Sequence, residues 1–526
     1  MSNQDKSQRC WECRTRRLVC DLAKPACKKC ARRGVTCPGY DEKPLKWVTQ
    51  RLKQPATKDH NLGTRRSPPS NTPSPGTELV PLSPIRAVPP PSLELGDSAQ
   101  TPFEAMVYYN ACIGPDLNWT GDTDVNNPYL IPLAHVSAMP DSIIQTIICS
   151  SLGHRIMQLQ DAPQQDQRTL ATRLQSHRGK ALRVIAQQLC DPREQTSDVT
   201  LAAVIVLLLV EIQNCLTLDW RQHGDGALTI IDMRGGMAKI MSGARPWSHI
   251  LSCLLIIEVM GCTTAPRTKI ERQRAHRQMD MISQLPQLYG NGLNTAFPCP
   301  PELFADIIRI NYLRSVSPTD IVPDDEWQGM AVEILQHILV FSPDTWVASI
   351  MPCPTHCDGG IASEASRLTS PVTTLAPIPR TSEDWVRVGR IYRAAAALYC
   401  MASCGLMAKA NRPGNICTGA VGLWPSLLGE LFSDLKAVAA GSTSIRHRFR
   451  KLMPWPLVIA GIALDEDDKL SREFILRELQ WISLAAGTAT PLVACNLLRD
   501  IWASLGHLSR QRSWDELFDK PYVFAI

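Results

Sequence analysis

The chain has 526 residues, 44% of them hydrophobic and 20% charged. That composition excludes a disordered polyelectrolyte and leaves ample material for a buried core. The net charge is only +5, but residues 1–60 hold 15 Lys and Arg against 6 Asp and Glu, or +9, which leaves −4 for the rest. A basic head on a mildly acidic body suggests that the head meets a polyanion.

The start, MSNQDKSQRC, is polar and lacks the apolar stretch of a secretory signal. A reducing nuclear or cytosolic compartment is expected, where clustered thiols hold metal instead of forming disulfides. Six of the 19 cysteines lie within 28 residues, CWECRTRRLVCDLAKPACKKCARRGVTC. The unit C-x2-C-x6-C occurs twice, at Cys10, Cys13 and Cys20 and again at Cys27, Cys30 and Cys37. A two-residue gap lets both thiolates reach one ion from a tight turn. Six further residues make about a turn and a half of helix before a third ligand returns. Each half supplies three thiolates and tetrahedral zinc takes four. Six sulfurs therefore satisfy two Zn2+ only if two of them bridge.

Metal also answers a stability problem. With Leu18, Val19, Leu22 and Val35 as its main apolar residues, the segment has almost no core. Chains below about 40 residues usually need a staple, and structural zinc supplies on the order of 10 kcal/mol. A RING or LIM module would need eight ligands in four pairs; no His or further Cys lies nearby, and His60 is too far along.

Around these cysteines, Arg14 follows the second, Arg16 and Arg17 form a basic pair, Asp21 follows the third, and Pro25 lies between the halves. Over roughly residues 10–47 the segment resembles the fungal binuclear zinc cluster family. The resemblance implies that Cys10 and Cys27 bridge the two zinc ions. Cys13 and Cys20 would complete one site, and Cys30 and Cys37 the other. It also implies reading of CGG triplets in double-stranded DNA through the Arg16–Arg17 positions. Guanine O6 and N7 suit an arginine in the major groove, and Arg17 is the expected base reader. Arg14, Lys28 and Lys29 are expected on phosphates, which set register without sequence choice. Val19 departs from the family, many members of which are basic just before the third cysteine.

Residues 54–100 read as a disordered linker rich in Pro and Ser, in which Ser67, Thr72, Ser74 and Ser83 each precede a proline. No sustained heptads occur over 45–100, and the prolines forbid a long helix there. Pairing through a coiled coil is not expected; a homodimer through the C-terminal body is the remaining route.

From about residue 101 the pattern is helical and period-two alternation is scarce. Leu201–Glu211 and Ile250–Met260 are apolar on nearly every side, so helices buried all round are expected. Leu303, Ile307, Ile308, Ile310 and Leu313 fall close to one face of a helix, and Tyr392–Met401 and Ile475–Ala485 continue the theme. Residues 358–384 read as a mobile surface loop. The longest clean apolar run, LAAVIVLLLV, has ten residues, too few for a bilayer crossing of about 20.

Landmarks in this region are Asn127-Pro128-Tyr129, the RGG at Arg234–Gly236, CPPELF at Cys299–Phe304, PWPLVIAG at Pro454–Gly461 and Arg472. With them the body resembles the fungal-specific transcription factor regulatory domain. Three domains are expected: a zinc-stapled cluster of two short helices at 10–47, a linker at 54–100 and an all-α regulatory domain at 101–526.

An enzymatic body is the competing class, but HExxH, GxSxG, P-loop and GxGxxG motifs do not occur. His223 and Asp225 in HGDG read as the start of a helix in preference to an acid–base pair. Cys353/Cys357 and Cys400/Cys404 have a spacing that could bind metal or sense oxidants, but buried thiols are the commoner outcome. The acidic DEDD at 465–468 and the C-terminal WDELFDKPYVFAI are weighed as activation patches, against a solvated loop and a packed terminus. The expected function is a nuclear, DNA-binding regulator of RNA polymerase II genes acting with the transcription machinery or co-regulators. A pathway-specific role, such as control of a secondary-metabolite gene cluster, is favoured. The alternative is a zinc-stabilised interaction module that binds acidic protein or RNA.

Overall fold

The computed structural model divides the chain into two compact units, 1–84 and 85–526. In the first it describes Cys13, residues 19–23 and 27–33, and Cys37. In the second it describes residues 101–525 apart from 118–126, 160–163, 217–219, 244–247, 291–294, 296, 317–323, 351–381, 407–419, 442–443, 466–467 and 506–512. The stretch expected to be a linker, 54–100, lies outside the described residues.

In the N-terminal unit Cys13 is helical and Lys28–Arg32 forms helix α1. The second unit is all helical among the described residues, with no strand. Its first half runs α2 (Thr101–Cys112), α3 (Asp141–Gln158), α4 (Gln164–Cys190), α5 (Asp198–Gln213), α6 (Arg221–Met233), α7 (Met237–Met241), α8 (Ser248–Thr263), α9 (Arg272–Asp280) and α10 (Leu285–Leu288). The second half runs α11 (Pro301–Ser315), α12 (Asp324–Val340), α13 (Pro343–Ile350), α14 (Ser382–Ser403), α15 (Ala420–Ala439), α16 (Ser444–Lys451), α17 (Pro454–Ala463), α18 (Lys469–Ala486) and α19 (Thr490–Leu505). Among the described residues no helix is long and apolar enough to cross a membrane.

The packing follows the apolar faces. α3 lies against α2, α4, α5 and α18, while α14 lies against α11, α12, α13, α15 and α17. Ala394–Ala397 in α14 are all fully buried; four small side chains in a row let neighbouring helices approach closely. One large core runs from Ile185 to Ala525, and a smaller one joins Ala105, Tyr108, Ile148, Leu152, Leu174 and Val210.

Three sequence expectations change in detail. α11 does bury Leu303, Ile307, Ile308, Ile310 and Leu313, but Asp306, Asn311 and Arg314 are buried too. Their polar groups find partners inside: Asn311 donates to the Val259 carbonyl at 2.9 Å and accepts from the Tyr399 hydroxyl at 2.6 Å. A polar face is buried where hydrogen bonds replace those to water.

The expected loop 358–384 ends earlier, since Ser382–Asp384 already open α14. Glu383 and Asp384 sit in its first turn, where the positive end of the helix dipole favours acidic groups, and both pair with Arg387. The remainder of that loop lies outside the described residues. Finally, α5 is not covered all round: Ala202, Val206, Leu209 and Gln213 are only half-buried.

Candidate nucleic-acid interface and its metal centre

Cys27 is the pivot of the N-terminal unit. It is extended at the N-cap of α1, and its sulfur accepts a hydrogen bond from the Cys30 N–H at 3.3 Å. Asp21 ties the two halves together, accepting from the Lys28 N–H at 3.1 Å. Desolvation works against the Asp21 charge, but the backbone N–H groups of Lys28, Asp21 and Lys29 together outweigh it and hold the carboxyl below its usual range. Leu22, beside it, has φ of 60°. A left-handed leucine is strained, which marks how tightly the chain turns after the third cysteine.

The thiols converge on two points. Cys13, Cys20 and Cys27 present sulfurs within 4.8 Å of one another, and so do Cys27, Cys30 and Cys37. Cys13 Sγ and Cys27 Sγ are 3.7 Å apart. Two sulfurs bound to one tetrahedral zinc at about 2.3 Å each are separated by about 3.8 Å, so the residues fit the metal. No disulfide joins the described cysteines. Cys10, expected as the other bridge, lies outside the described residues, as do Arg14, Arg16 and Arg17. Lys28 and Lys29 are on α1 and exposed, with Arg32 and Arg33 beside them. Val19 is 72% exposed, so the apolar residue at that position faces outward.

In the body, the sequence landmarks build turns and helix starts. Asn127 forms a local turn, accepting from the Tyr129 N–H at 2.9 Å and donating to the Gly114 carbonyl at 3.1 Å. Gly235 and Gly236 have φ of 94° and 91°, a conformation open to glycine, and join α6 to α7. Arg234 pairs with Asp198 at 2.7 Å. Pro301 and Pro454 open α11 and α17 at positions where a helix needs no N–H. Arg472 lies over the Trp502 ring at 5.0 Å.

Residues 105–524 match the family described as Fungal specific transcription factor domain. The chain belongs to the fungal specific transcription factor family. Residues 8–46 of this transcription factor also match the Fungal Zn(2)-Cys(6) binuclear cluster domain. It is a DNA-binding transcription regulator, and its cluster binds two zinc ions. It is similar to the Phomenoic acid biosynthesis cluster-specific transcriptional regulator of Leptosphaeria maculans, at 27% identity over 100% of this chain and 91% of that protein. No solved structure matches it.

The remaining candidates resolve structurally in this fungal transcription factor. His223 and Asp225 lie in the first turns of α6, and Asp225 pairs with Arg274, which also pairs with buried Glu258. Cys400 and Cys404 are both buried. The neighbouring Cys404 and burial push the Cys400 thiol up, whereas the same contact holds the Cys404 thiol down. Cys353 and Cys357 lie outside the described residues. Of the acidic run, Asp468 caps α18 by accepting from the Ser471 N–H at 3.0 Å.

The C-terminal segment is packed, not a free acidic tail. Trp514, Phe518 and Phe524 are buried. The Trp514 indole donates to the Thr263 carbonyl at 2.8 Å, and the Tyr522 N–H donates to Thr264 Oγ1 at 2.7 Å. Sequence reasoning named Asp21 only as a family landmark. Its role as the tie between halves had no local signal, because its partner lies seven residues away.

Proposed function

We propose that this regulator reads CGG-containing sites in double-stranded DNA, with Cys10, Cys13, Cys20, Cys27, Cys30 and Cys37 as the six zinc ligands. Cys10 and Cys27 bridge the two ions. The observation that supports this most directly is Cys27, whose sulfur belongs to two separate thiol triplets. Zinc supplies rigidity: it turns a segment without a core into a platform that presents a short arginine-bearing helix.

On that platform Arg17 reads guanine, Arg16 assists it, and Arg14, Lys28 and Lys29 hold phosphates. The domains run 10–47 for the cluster, 54–100 for the linker and 101–526 for the regulatory body. The protein acts in the nucleus with co-regulators of RNA polymerase II, and the body is the route to any homodimer. A pathway-specific role in a biosynthetic gene cluster follows from the similarity to the phomenoic acid cluster regulator.

The test is fluorescence anisotropy with the zinc-loaded full chain on duplexes that carry or lack CGG. Wild type should prefer the CGG duplex. Its affinity should fall with salt at a log–log slope of about −0.9 per phosphate neutralised. Arg17→Ala should lose about 1–3 kcal/mol of discrimination between the two duplexes. Equal weakening on both would make Arg17 a phosphate contact, and equal wild-type affinity for both would remove CGG as the target.

A further inference from the structure

We propose that the helical body carries a binding pocket for an uncharged, largely aliphatic small molecule with one hydrogen-bonding head group. The pocket has a volume of about 280 Å3 and lies where α2, α3, α5 and α8 meet the turn at 128–131 and the C-terminal helices α17 and α18. Ligand sites commonly span about 300–1,000 Å3, so it suits a small occupant.

α5 shows why the space reads as a site. Its stretch Leu201–Val210 is apolar on every side, and most residues of the helix are buried. Val206, Leu209 and Gln213 keep accessible surface, at a three- and four-residue spacing that puts them on one stripe. All three line the pocket. Ile131, Ile250 and Leu452 from other segments also line it.

Two polar side chains on the lining are unspent. Among the described residues, neither the Tyr109 hydroxyl nor the His249 imidazole makes a hydrogen bond, although both line the pocket. Tyr109 is only half-buried although it sits deep in the protein, so its accessible surface is the surface it shows to the pocket. A phenol and a neutral imidazole can each donate or accept, and a hydroxyl or carbonyl head group satisfies them.

The charge balance selects a neutral occupant. Lys451 and Asp116 on the lining pair with each other at 2.6 Å. Desolvation lowers the His249 pKa, which keeps the ring neutral. Burial pushes the Cys253 thiol up to about 11 and raises the Tyr109 and Tyr129 phenols. The ionisable groups on the lining are thus neutral or already paired. An ionised ligand would lose its hydration there with no counter-charge to replace it.

The test uses the zinc-loaded full chain, with 1-octanol and octanoate as probes in titration calorimetry. 1-Octanol should bind saturably at one site and raise the thermal midpoint of the body, because a ligand that binds only the folded state stabilises it. Octanoate should bind at least ten-fold more weakly. Tyr109→Phe, a mild change, should weaken 1-octanol several-fold, and Leu209→Trp should abolish its binding by filling the space. DNA affinity and zinc content, read on the same samples, should stay at wild-type values, which separates this site from the DNA-reading head. Absence of saturable 1-octanol binding, equal binding of octanoate, or undiminished binding in Tyr109→Phe would each overturn the proposal.

Discussion

Cys27 combines two duties in one side chain: it caps α1 by accepting the Cys30 N–H, and it belongs to both sulfur triplets. Cys27→Ala is therefore expected to cost the order of both zinc sites, lowering the zinc content well below two ions per chain by elemental analysis. Two tightly held ions in that variant would show that the sulfur is not shared. Arg314 is the corresponding residue of the body. It is fully buried and donates to the carbonyls of Cys262, Thr263 and Ala265, to the Tyr399 hydroxyl and to Asp515. Burial works against its charge, and Tyr399 and Asp515 more than offset that cost. Arg314→Met strands those acceptors, so a loss of about 3–5 kcal/mol is expected in urea unfolding of the body, with zinc content unchanged. In the sequence, Arg314 looks like a solvated arginine at a helix end. Its partners are drawn from as far away as Asp515, so no local pattern could reveal that it is buried.

The pairing of α3 with α18 shows what a helix contact depends on. Gly487 closes α18 with φ of 62°, and a Cβ there would lie 2.1 Å from the His154 ring. Gly487→Ala should cost at least about 1–2 kcal/mol for the left-handed backbone alone, with the clash added, and should lower the urea midpoint. His154 itself is buried and hydrogen-bonded to the Tyr108 hydroxyl at 2.9 Å. Desolvation lowers its pKa from 6.5 to about 4. Between those values the unfolded chain binds a proton and the folded chain does not. This contribution to stability is complete above the unfolded value and is lost as the pH falls from there toward 4, with an upper limit of about 3 kcal/mol. Urea midpoints at pH 7 and pH 5 should differ more in wild type than in His154→Phe. Equal differences would assign the acid sensitivity elsewhere. At this scale much was legible: the apolar runs at Leu201–Glu211, Ile250–Met260, Tyr392–Met401 and Ile475–Ala485 all lie in helices. The start of α14 was missed because Ser382, Glu383 and Asp384 are polar and loop-like until Arg387 pairs with the acids.

Across the whole molecule, the two units rest on different physics. The described part of the cluster buries little except cysteine, whereas the body has an extended apolar core. Removing zinc with a strong chelator should therefore abolish specific DNA binding while leaving the far-UV helical signal essentially unchanged. Loss of that signal would mean that the body depends on the metal.

The metal chemistry was written in the amino-acid order alone. Ligand spacing acts within a few residues, and a coreless segment with six thiols has few other ways to fold. All-α character was equally visible, because apolar periodicity is a local property. The pocket, the burial of Arg314 and the docking of the C-terminal segment belong to the tertiary structure. They join residues as distant as Tyr109 and Ala525, and before folding a side chain that will line a space looks the same as one that will fill it.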